Sequence, residues 1–474
     1  MTERLDFIVI GAGPSGEAAA FKARELGASV AVVERDLFGG SCPHWGCIPS
    51  KTLLNGAMRH ALGDDYPWTR ASERRDYMIN RVGLDYPDDT GHISRLEAAG
   101  ATCLRGEARL DGPGHVVVTP TEPGGQPILS GTLHELEADH VILATGSVSK
   151  VPPVEGVETI RTWTNRDATS ARQLPRSLVV LGGGPTGVEL AQVYARFGVP
   201  TTIVQSGARL APTDHPRNSE AARRALERDG VTVRLGVRAQ RARSAAGADG
   251  ADVIELDDGS SVEGQAVLLA VGRSFPLGGL GLESVGLSAP DLPRDGRLRI
   301  GDGIWLVGDP AGPELHTHQG HYQGELAVRM ALGESILPDY RALPRATYTD
   351  PEASSVGMTL DEALGAGIDA FEKVGDFATS ARGYSIKADM GHITITVDRR
   401  TRQLVGAAMA CPDASAAIHE CVVAMKARVT IDVLAETIHA FPSTSRILNG
   451  LFADALKELD APTNLARSGD QPRS

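Results

Sequence analysis

Cysteine is scarce in this chain, five in 474 residues, and only Cys42 and Cys47 lie close together. That inventory excludes a small secreted scaffold stapled by disulfides; it fits a cytoplasmic chain in which a disulfide is catalytic rather than structural. Long apolar runs are missing as well. No stretch approaches the ~20 residues of a membrane span, and MTERLDF carries no signal-peptide core. Basic excess is also absent: the net charge of −13 speaks against nucleic acid or an anionic membrane as the principal partner. What remains is a long acidic chain, too large for one core, for which roughly two to four domains are the natural expectation.

Glycine, by contrast, is patterned. FIVIGAGPSGEAAA reads as an apolar strand, then Gly11, Gly13 and Gly16, then a helix, and Glu34 closes the next strand, SVAVVE. Such glycines permit a tight turn and close backbone approach to a pyrophosphate at the positive helix N-terminus, and the acid is placed for ribose hydroxyls. A second copy follows in SLVVLGGGPTGVELA, with Gly182, Gly184 and Gly187, and its next strand TTIVQ ends at Gln205. Two such units imply two dinucleotides, with hydride passing between them. They are an internal duplication, not a solenoid repeat.

GGSCPHWGCIPSK places Cys42 and Cys47 five positions apart. Five residues of α-helix separate Cα atoms by about 7.5 Å, beyond the ~4.4–6.8 Å that a disulfide accepts. Pro43, Gly46 and Pro49 suit a distorted start of a helix that closes the gap. The bland alternative is two buried reduced cysteines; the surroundings favour a redox-active dithiol. Cys103, Cys411 and Cys421 read as small core hydrophobes.

Further motifs stand in order: VILATGS with Thr145 and Gly146, AVGRSFPLGGLGL with Gly272 and Arg273, IWLVGDPAG with Gly308 and Asp309, and TDPEASSVGMT. Together with the glycine and cysteine motifs, they make the chain resemble the FAD-dependent pyridine nucleotide–disulfide oxidoreductases over nearly its whole length. That is the family of dihydrolipoamide dehydrogenase, glutathione reductase and mercuric reductase. The resemblance implies an α/β fold of two Rossmann-like dinucleotide-binding domains plus a C-terminal α/β dimerisation domain, working as a homodimer. It divides the chain into residues 1–148 and 275–345 for FAD, 149–274 for NAD(P) and 346–460 for the dimer interface. The tail 461–474 is expected to be disordered, and RSAAGADGADV to form a loose surface hairpin.

The same resemblance implies roles. Cys47 would be the thiolate beside the flavin and Cys42 the thiol that exchanges with substrate; Lys51 and Glu189 match the pair near flavin N5. Gly11, Gly13, Pro14, Ser15, Gly16, Glu34, Arg35, Gly40, Ser41, Lys51, Ala108, Thr145, Gly146, Gly308, Asp309 and Thr317 would serve FAD. Gly182, Gly184, Gly187, Gln205, Gly272 and Arg273 would serve the nicotinamide nucleotide and the crossing between domains. No metal site is expected. Arg70, Arg74 and Arg75 read as a solvated face.

One motif departs. Family members carry an HPTxSE-like run whose histidine, held by the glutamate, exchanges protons with the thiol. Here TIHAFPSTSRILNGLF puts Phe441 and Arg446 at those two positions. Pro442 and Ser445 hold the frame, Ser443 or Ser445 suits a helix N-cap, and Ile447, Leu448, Leu451, Phe452, Ala455 and Leu456 recur at helical spacing. Phenylalanine cannot titrate, and arginine stabilises anions without taking protons. His439 matches a family histidine that is not the catalytic one. Mercuric reductase also carries phenylalanine before this proline, but this chain lacks its C-terminal cysteine pair. Among His316, His318 and His321, either His316 or His321 is an alternative proton donor; their i, i+2, i+5 spacing does not gather three imidazoles for a metal.

Gln205 stands where NAD-preferring members place a carboxylate, so NADP(H) is favoured over NAD(H). The leading expectation is a flavoenzyme passing electrons from NAD(P)H through FAD and the dithiol to a non-standard small disulfide or related acceptor. The alternatives are a quinone, oxygen or metal-ion reductase in which the dithiol is secondary, and a flavin-loaded redox sensor.

Overall fold

The computed structural model describes residues 4–128, 130–244 and 250–461. The expected tail beyond residue 461 and the middle of RSAAGADGADV lie outside them. Of the described residues, those within 4–212 and 226–339 form one compact unit, and those within 213–225 and 340–461 a second.

The first unit is built on two main sheets, the first mixed and the second parallel. In the first, β1 (Leu5–Ile10) lies between β2 (Val30–Glu34) and β5 (His134–Leu143), parallel to both, with Ile10 level with Val33 and Leu143. β3 (Thr102–Leu110) extends this sheet beyond β2, and Ile304–Leu306 beyond β5; β4 (His115–Pro120) pairs antiparallel with β3 and β5. Phe7, Ile8 and Val9 are fully buried, as a strand covered on both faces requires. Because the chain leaves β1 toward β2 while β5 flanks its other side, the carboxyl end of β1 is a topological switch point, where ligands bind in such sheets.

Helix α1 (Pro14–Glu25) follows β1, and the helix Pro185–Arg196 follows the strand Leu178–Leu181. The two turns are built alike. Gly11 (φ 102°) and Gly182 (φ 106°) take left-handed backbone, and a Cβ on either would lie 2.3 Å from the carbonyl oxygen of Ala144 or Ala270. Only glycine fits there. The second sheet runs Thr232–Leu235, Thr201–Gln205, Leu178–Leu181, Ala266–Leu269, Thr162–Trp163, all parallel. Val148–Ser149 and Arg273–Ser274 pair antiparallel where the chain crosses between the two sheets.

Helix α2 (Ser41–His44) is short, α3 (Cys47–Ala61) is long, and α4 (Trp68–Met78) follows. Leu53, Leu54 and Ala57 of α3 pack in one apolar cluster with Val188, Leu190 and Ala191, which sets α3 against the second dinucleotide helix. The solvated-face reading of Arg75 is corrected. Arg74 is exposed, but Arg75 is fully buried, its guanidinium donating to Asp76 and to the carbonyls of Thr169 and Ala171.

The second unit carries an antiparallel sheet in the order Pro344–Thr347, Ala353–Gly357, Gln403–Ala410, His392–Asp398, Ala370–Asp376. Residues 213–225, which the sequence reading placed with the NAD(P) domain, fold with this unit. The helix Thr444–Asp460 closes it; Ser443 is its N-cap, accepting from the Arg446 amide at 3.1 Å, and Leu448, Leu451, Phe452 and Ala455 are buried.

Candidate functional site

The two cysteines lie on either side of a helix break. Cys42 belongs to α2, Trp45 and Gly46 interrupt the helical run, and Cys47 is the first residue of α3. The break is fixed from outside: the Trp45 carbonyl accepts from Asn165 Nδ2 at 2.9 Å and from Thr169 Oγ1 at 3.1 Å. Trp45 is buried against Tyr86, with ring centroids 5.3 Å apart. His44 is buried as well, its Nε2 2.9 Å from the Phe38 carbonyl. Both cysteines are thiols in this structure.

Their chemistry is unequal. The Cys42 thiol bonds to Cys47; that bond, then the Thr317 hydroxyl and the Lys51 charge, pull Cys47 down to about 6 against the opposing effect of burial. Cys42 is driven far upward, first by the same bond and then by burial. A low-pKa thiolate beside a protonated partner is the reactive form of a dithiol. Lys51 Nζ lies 2.7 Å from Glu189 Oε2, joining α3 to the second dinucleotide helix. Glu189 is nearly buried and Lys51 is one-third exposed, so the ion pair is held at the edge of the core.

Above the carboxyl end of β1 lies a cleft lined by Gly11, Gly13, Pro14, Ser15, Glu34, Arg35, Gly40, Ser41, Cys42, Thr145, Gly146, Arg273, Asp309 and Thr317. Two residues that the sequence reading did not single out, Ser147 and Arg166, also line it. Its floor is bare backbone: a Cβ on Gly40 would lie 2.6 Å from Gly13 Cα. Glu34 is placed by accepting from the Ala12 and Asp36 amides, each at 2.8 Å. The Thr145 hydroxyl is buried with no hydrogen-bond partner among the described residues. A side-chain-free groove at a helix N-terminus, an acid at the strand end and an unmatched hydroxyl fit an extended dinucleotide such as FAD. Arg273 donates to the Ser147 hydroxyl and carbonyl, and the Ser147 hydroxyl donates to Asp309. Ser147 thus links the crossing strands to Asp309.

The remaining expected residues are spread differently. Gly16 lies beneath the glycine turn, Gly308 backs Ser15, and Ala108 is buried in the core of the first sheet. Gly182, Gly184, Gly187 and Gln205 form the second turn, where Gln205 Oε1 accepts from Gly183 N at 2.9 Å as Glu34 does from Ala12. Gly272 accepts from Lys150 N at 3.0 Å beside the crossing. His316 lines the cleft and its ring stacks on the exposed His318, centroids 5.0 Å apart, while His321 is exposed. No group of three metal-ligating side chains occurs among the described residues.

In the second unit, Phe441 is 73 % exposed, whereas Arg446 donates to Asn449 Oδ1, and Asn449 Nδ2 donates to the carbonyls of Ala435 and Thr437. His439 is paired with Glu420 at 2.6 Å, and its other ring nitrogen faces the Thr437 carbonyl at 2.8 Å.

Residues 5–324 match the family model for pyridine nucleotide-disulphide oxidoreductases, and residues 343–450 that for the family's dimerisation domain. The chain is 30% identical to a dihydrolipoyl dehydrogenase of Chlorobaculum tepidum, covering 97% of this chain and 98% of that one. It is 33% identical to one of Haloferax volcanii, covering 95% and 96%. Among solved structures, LpdA from Mycobacterium tuberculosis matches with a TM-score of 0.83 at 26% identity, over 95% of this chain and 99% of that one. The HOCl-induced flavoprotein disulfide reductase RclA of Escherichia coli shares the fold with a TM-score of 0.82 at 24% identity, over 94% of this chain and 99% of that one. The chain belongs to the pyridine nucleotide–disulfide oxidoreductase family. It is an FAD-dependent oxidoreductase of that class. No helix among the described residues is long and apolar enough to cross a membrane.

Proposed function

We propose that this enzyme takes electrons from NAD(P)H and passes them through the Cys42–Cys47 couple to a non-standard small disulfide or related acceptor, other than lipoamide or glutathione disulfide. FAD, when bound, supplies the hydride relay between nicotinamide and dithiol. The observation that carries the reading is a retained dithiol without its base: Phe441 and Arg446 stand where proton transfer to a leaving thiolate would need histidine and glutamate. Arg446 is moreover engaged with Asn449. Disulfide exchange needs Cys42 as a thiolate nucleophile, yet Cys42 holds its proton while Cys47 gives its own up. Cys42 therefore suits an acceptor that takes a proton together with electrons.

Gln205 supports NADP(H) over NAD(H). Its carbonyl is used on the glycine turn and its amide donates to the Arg209 carbonyl at 3.3 Å, so no carboxylate there repels a 2′-phosphate. Residues Gly11, Gly13, Glu34, Thr145, Asp309 and Thr317 are assigned to FAD, and Lys51 with Glu189 to the flavin side of the dithiol. The second reading, reduction of a quinone, oxygen or a metal ion directly from flavin, is separated by Cys42→Ser. Turnover of a panel of disulfides, quinones and metal ions by the NADPH-reduced enzyme, followed by flavin absorbance, is expected to find an acceptor whose reduction Cys42→Ser abolishes. Full turnover of that acceptor by the variant would remove the dithiol from the path.

A further inference from the structure

In a continuous helix the Trp45 carbonyl would accept from the amide of residue 49, but that residue is Pro49, which has no N–H. Trp45 is buried, so its carbonyl needs a donor from elsewhere in the chain. Asn165 supplies it. Its Nδ2 donates to that carbonyl at 2.9 Å, while its Oδ1 accepts from the Ser149 hydroxyl at 3.0 Å, so both ends of the amide are committed. The Thr169 hydroxyl lies 3.1 Å from the same carbonyl, but it has one proton and sits 2.8 Å from the Asn165 carbonyl as well. Asn165 is the dedicated donor.

The helix that carries it, Asn165–Ser170, is itself anchored. The Tyr194 hydroxyl donates to the Ala168 carbonyl at 2.6 Å, and the buried Arg75 donates to the Thr169 carbonyl. The same helix also meets the Trp45 ring: the Arg166 guanidinium lies 5.4 Å from its centre and pairs with Asp36 at 3.0 Å. Tyr86, packed on that indole, donates to Asp36 at 2.7 Å.

We infer that Asn165 is a positioning residue for the redox couple: through the Trp45 carbonyl it holds the helix break in the bend that keeps Cys42 and Cys47 within bonding reach, and so lowers the reduction potential of their disulfide. The inference rests on the dithiol reading above and adds what sets its poise. A disulfide accepts Cα separations of only ~4.4–6.8 Å, whereas two thiols tolerate a wider range. Across five residues a regular helix would impose about 7.5 Å. A bond that fixes the bend therefore favours the oxidised form over the reduced one. Asn165 is uncharged, so its removal relaxes this constraint without altering the charge beside the sulfurs, as removal of Lys51 would.

The test equilibrates the FAD-loaded protein anaerobically, without NADPH, in buffers of graded ratio of reduced to oxidised dithiothreitol. Dithiothreitol gives two electrons and two protons to the Cys42–Cys47 disulfide and closes to its own cyclic disulfide. Free thiols are trapped with N-ethylmaleimide, and the peptide holding both cysteines is read by mass spectrometry. Asn165→Ala is expected to be half-reduced at a ratio about tenfold lower than the unaltered protein, which is about 30 mV for a two-electron couple. Ser149→Ala, which frees the other end of the amide and leaves the bond to Trp45, is expected to keep the midpoint where it is. An unshifted midpoint in Asn165→Ala overturns the inference. So does a Ser149→Ala midpoint that moves as far, since the effect would then belong to the crossing strands. If Asn165→Ala does not accumulate as folded protein, Asn165→Ser, whose hydroxyl stops short of the carbonyl, carries the same comparison. A different failure, no disulfide at any ratio in the unaltered protein, would bring down the dithiol reading itself.

Discussion

At the scale of single residues, the proposed function turns on Phe441 and Arg446. General acid–base assistance contributes about 10²–10⁴-fold to rate, so turnover of dihydrolipoamide and glutathione disulfide is expected to fall short by a factor of that size. Phe441→His with Arg446→Glu should raise it; steady-state assays of both substrates check this, and ordinary family rates in the unaltered enzyme would show another proton carrier at work. His316 is the first place to look, since it lines the cleft. His439 is less suited, because acceptors occupy both of its nitrogens. Lys51→Met tests a different contribution. It strands the nearly buried Glu189 carboxylate, and removing one partner of a buried pair costs about 3–5 kcal/mol, toward the lower end here because Lys51 is partly exposed. A lowered urea midpoint together with slowed reduction of the dithiol is the expected outcome. Cys42, Cys47, Lys51, Glu189 and the glycines were legible in the sequence because each sits in a short motif whose chemistry dictates its residue type. Ser147 and Trp45 were passed over although they stand inside such motifs: a side chain that works by holding a distant backbone leaves no local pattern.

At the scale of elements, the same limit explains Arg75. Its neighbours in WTRASERRDYM are polar, so periodicity alone put it on a wet face, but its acceptors lie 94 and 96 residues away at the end of the helix Asn165–Ser170. Arg75, Arg81 and Arg172 all bond to Asp76, and they also hold the carbonyls of Thr169, Ser170, Ala171 and Leu84. These cations meet the negative end of that helix, whose Asn165 and Thr169 in turn fix the redox-loop break. Asp76 is the carboxylate that all three arginines share. Asp76→Asn is expected to destabilise the fold by about 3–5 kcal/mol, because it leaves the fully buried Arg75 without its countercharge. Chemical denaturation measures that loss. Unchanged stability would mean that the helix-end carbonyls alone suffice. The strand–turn–helix units were readable in full by comparison, since apolar strand, glycine and helix all fall within one short window.

At the scale of the whole molecule, the dimerisation module leads us to expect a homodimer, which light scattering at micromolar concentration will distinguish from a monomer. The sequence did not signal that residues 213–225 fold with this module, because the tie is made by side chains far apart in the chain. Asn218 Nδ2 donates to the Ser354 carbonyl at 3.0 Å, and its Oδ1 lies 2.9 Å from His392 Nε2. Nε2 therefore carries the proton, and Nδ1 accepts from Thr394 at 3.0 Å, so His392 is neutral. Burial, with His215 and Arg217 nearby, takes it down to about 3, only partly offset by Glu372. His215 accepts the Arg217 amide on Nδ1 at 3.1 Å and faces Glu372 through Nε2 at 3.3 Å. The sign follows from the protonation state of His392. Above the ordinary histidine value of 6.5, His392 is neutral folded and unfolded and contributes no pH dependence. Below it, the unfolded chain binds a proton that the native chain refuses, and stability falls until the pH nears 3. By about pH 4.5 the loss amounts to about 2–3 kcal/mol. Glu372, held below its usual value by His215 and Arg217 despite burial, adds a loss of the same sign at still lower pH. The urea midpoint is therefore expected to drop between about pH 7 and about pH 4.5. His392→Gln, which keeps a donor for Asn218 and cannot titrate, should flatten that slope while lowering the midpoint at neutral pH. An equal slope in the variant would place the acid sensitivity elsewhere in the molecule.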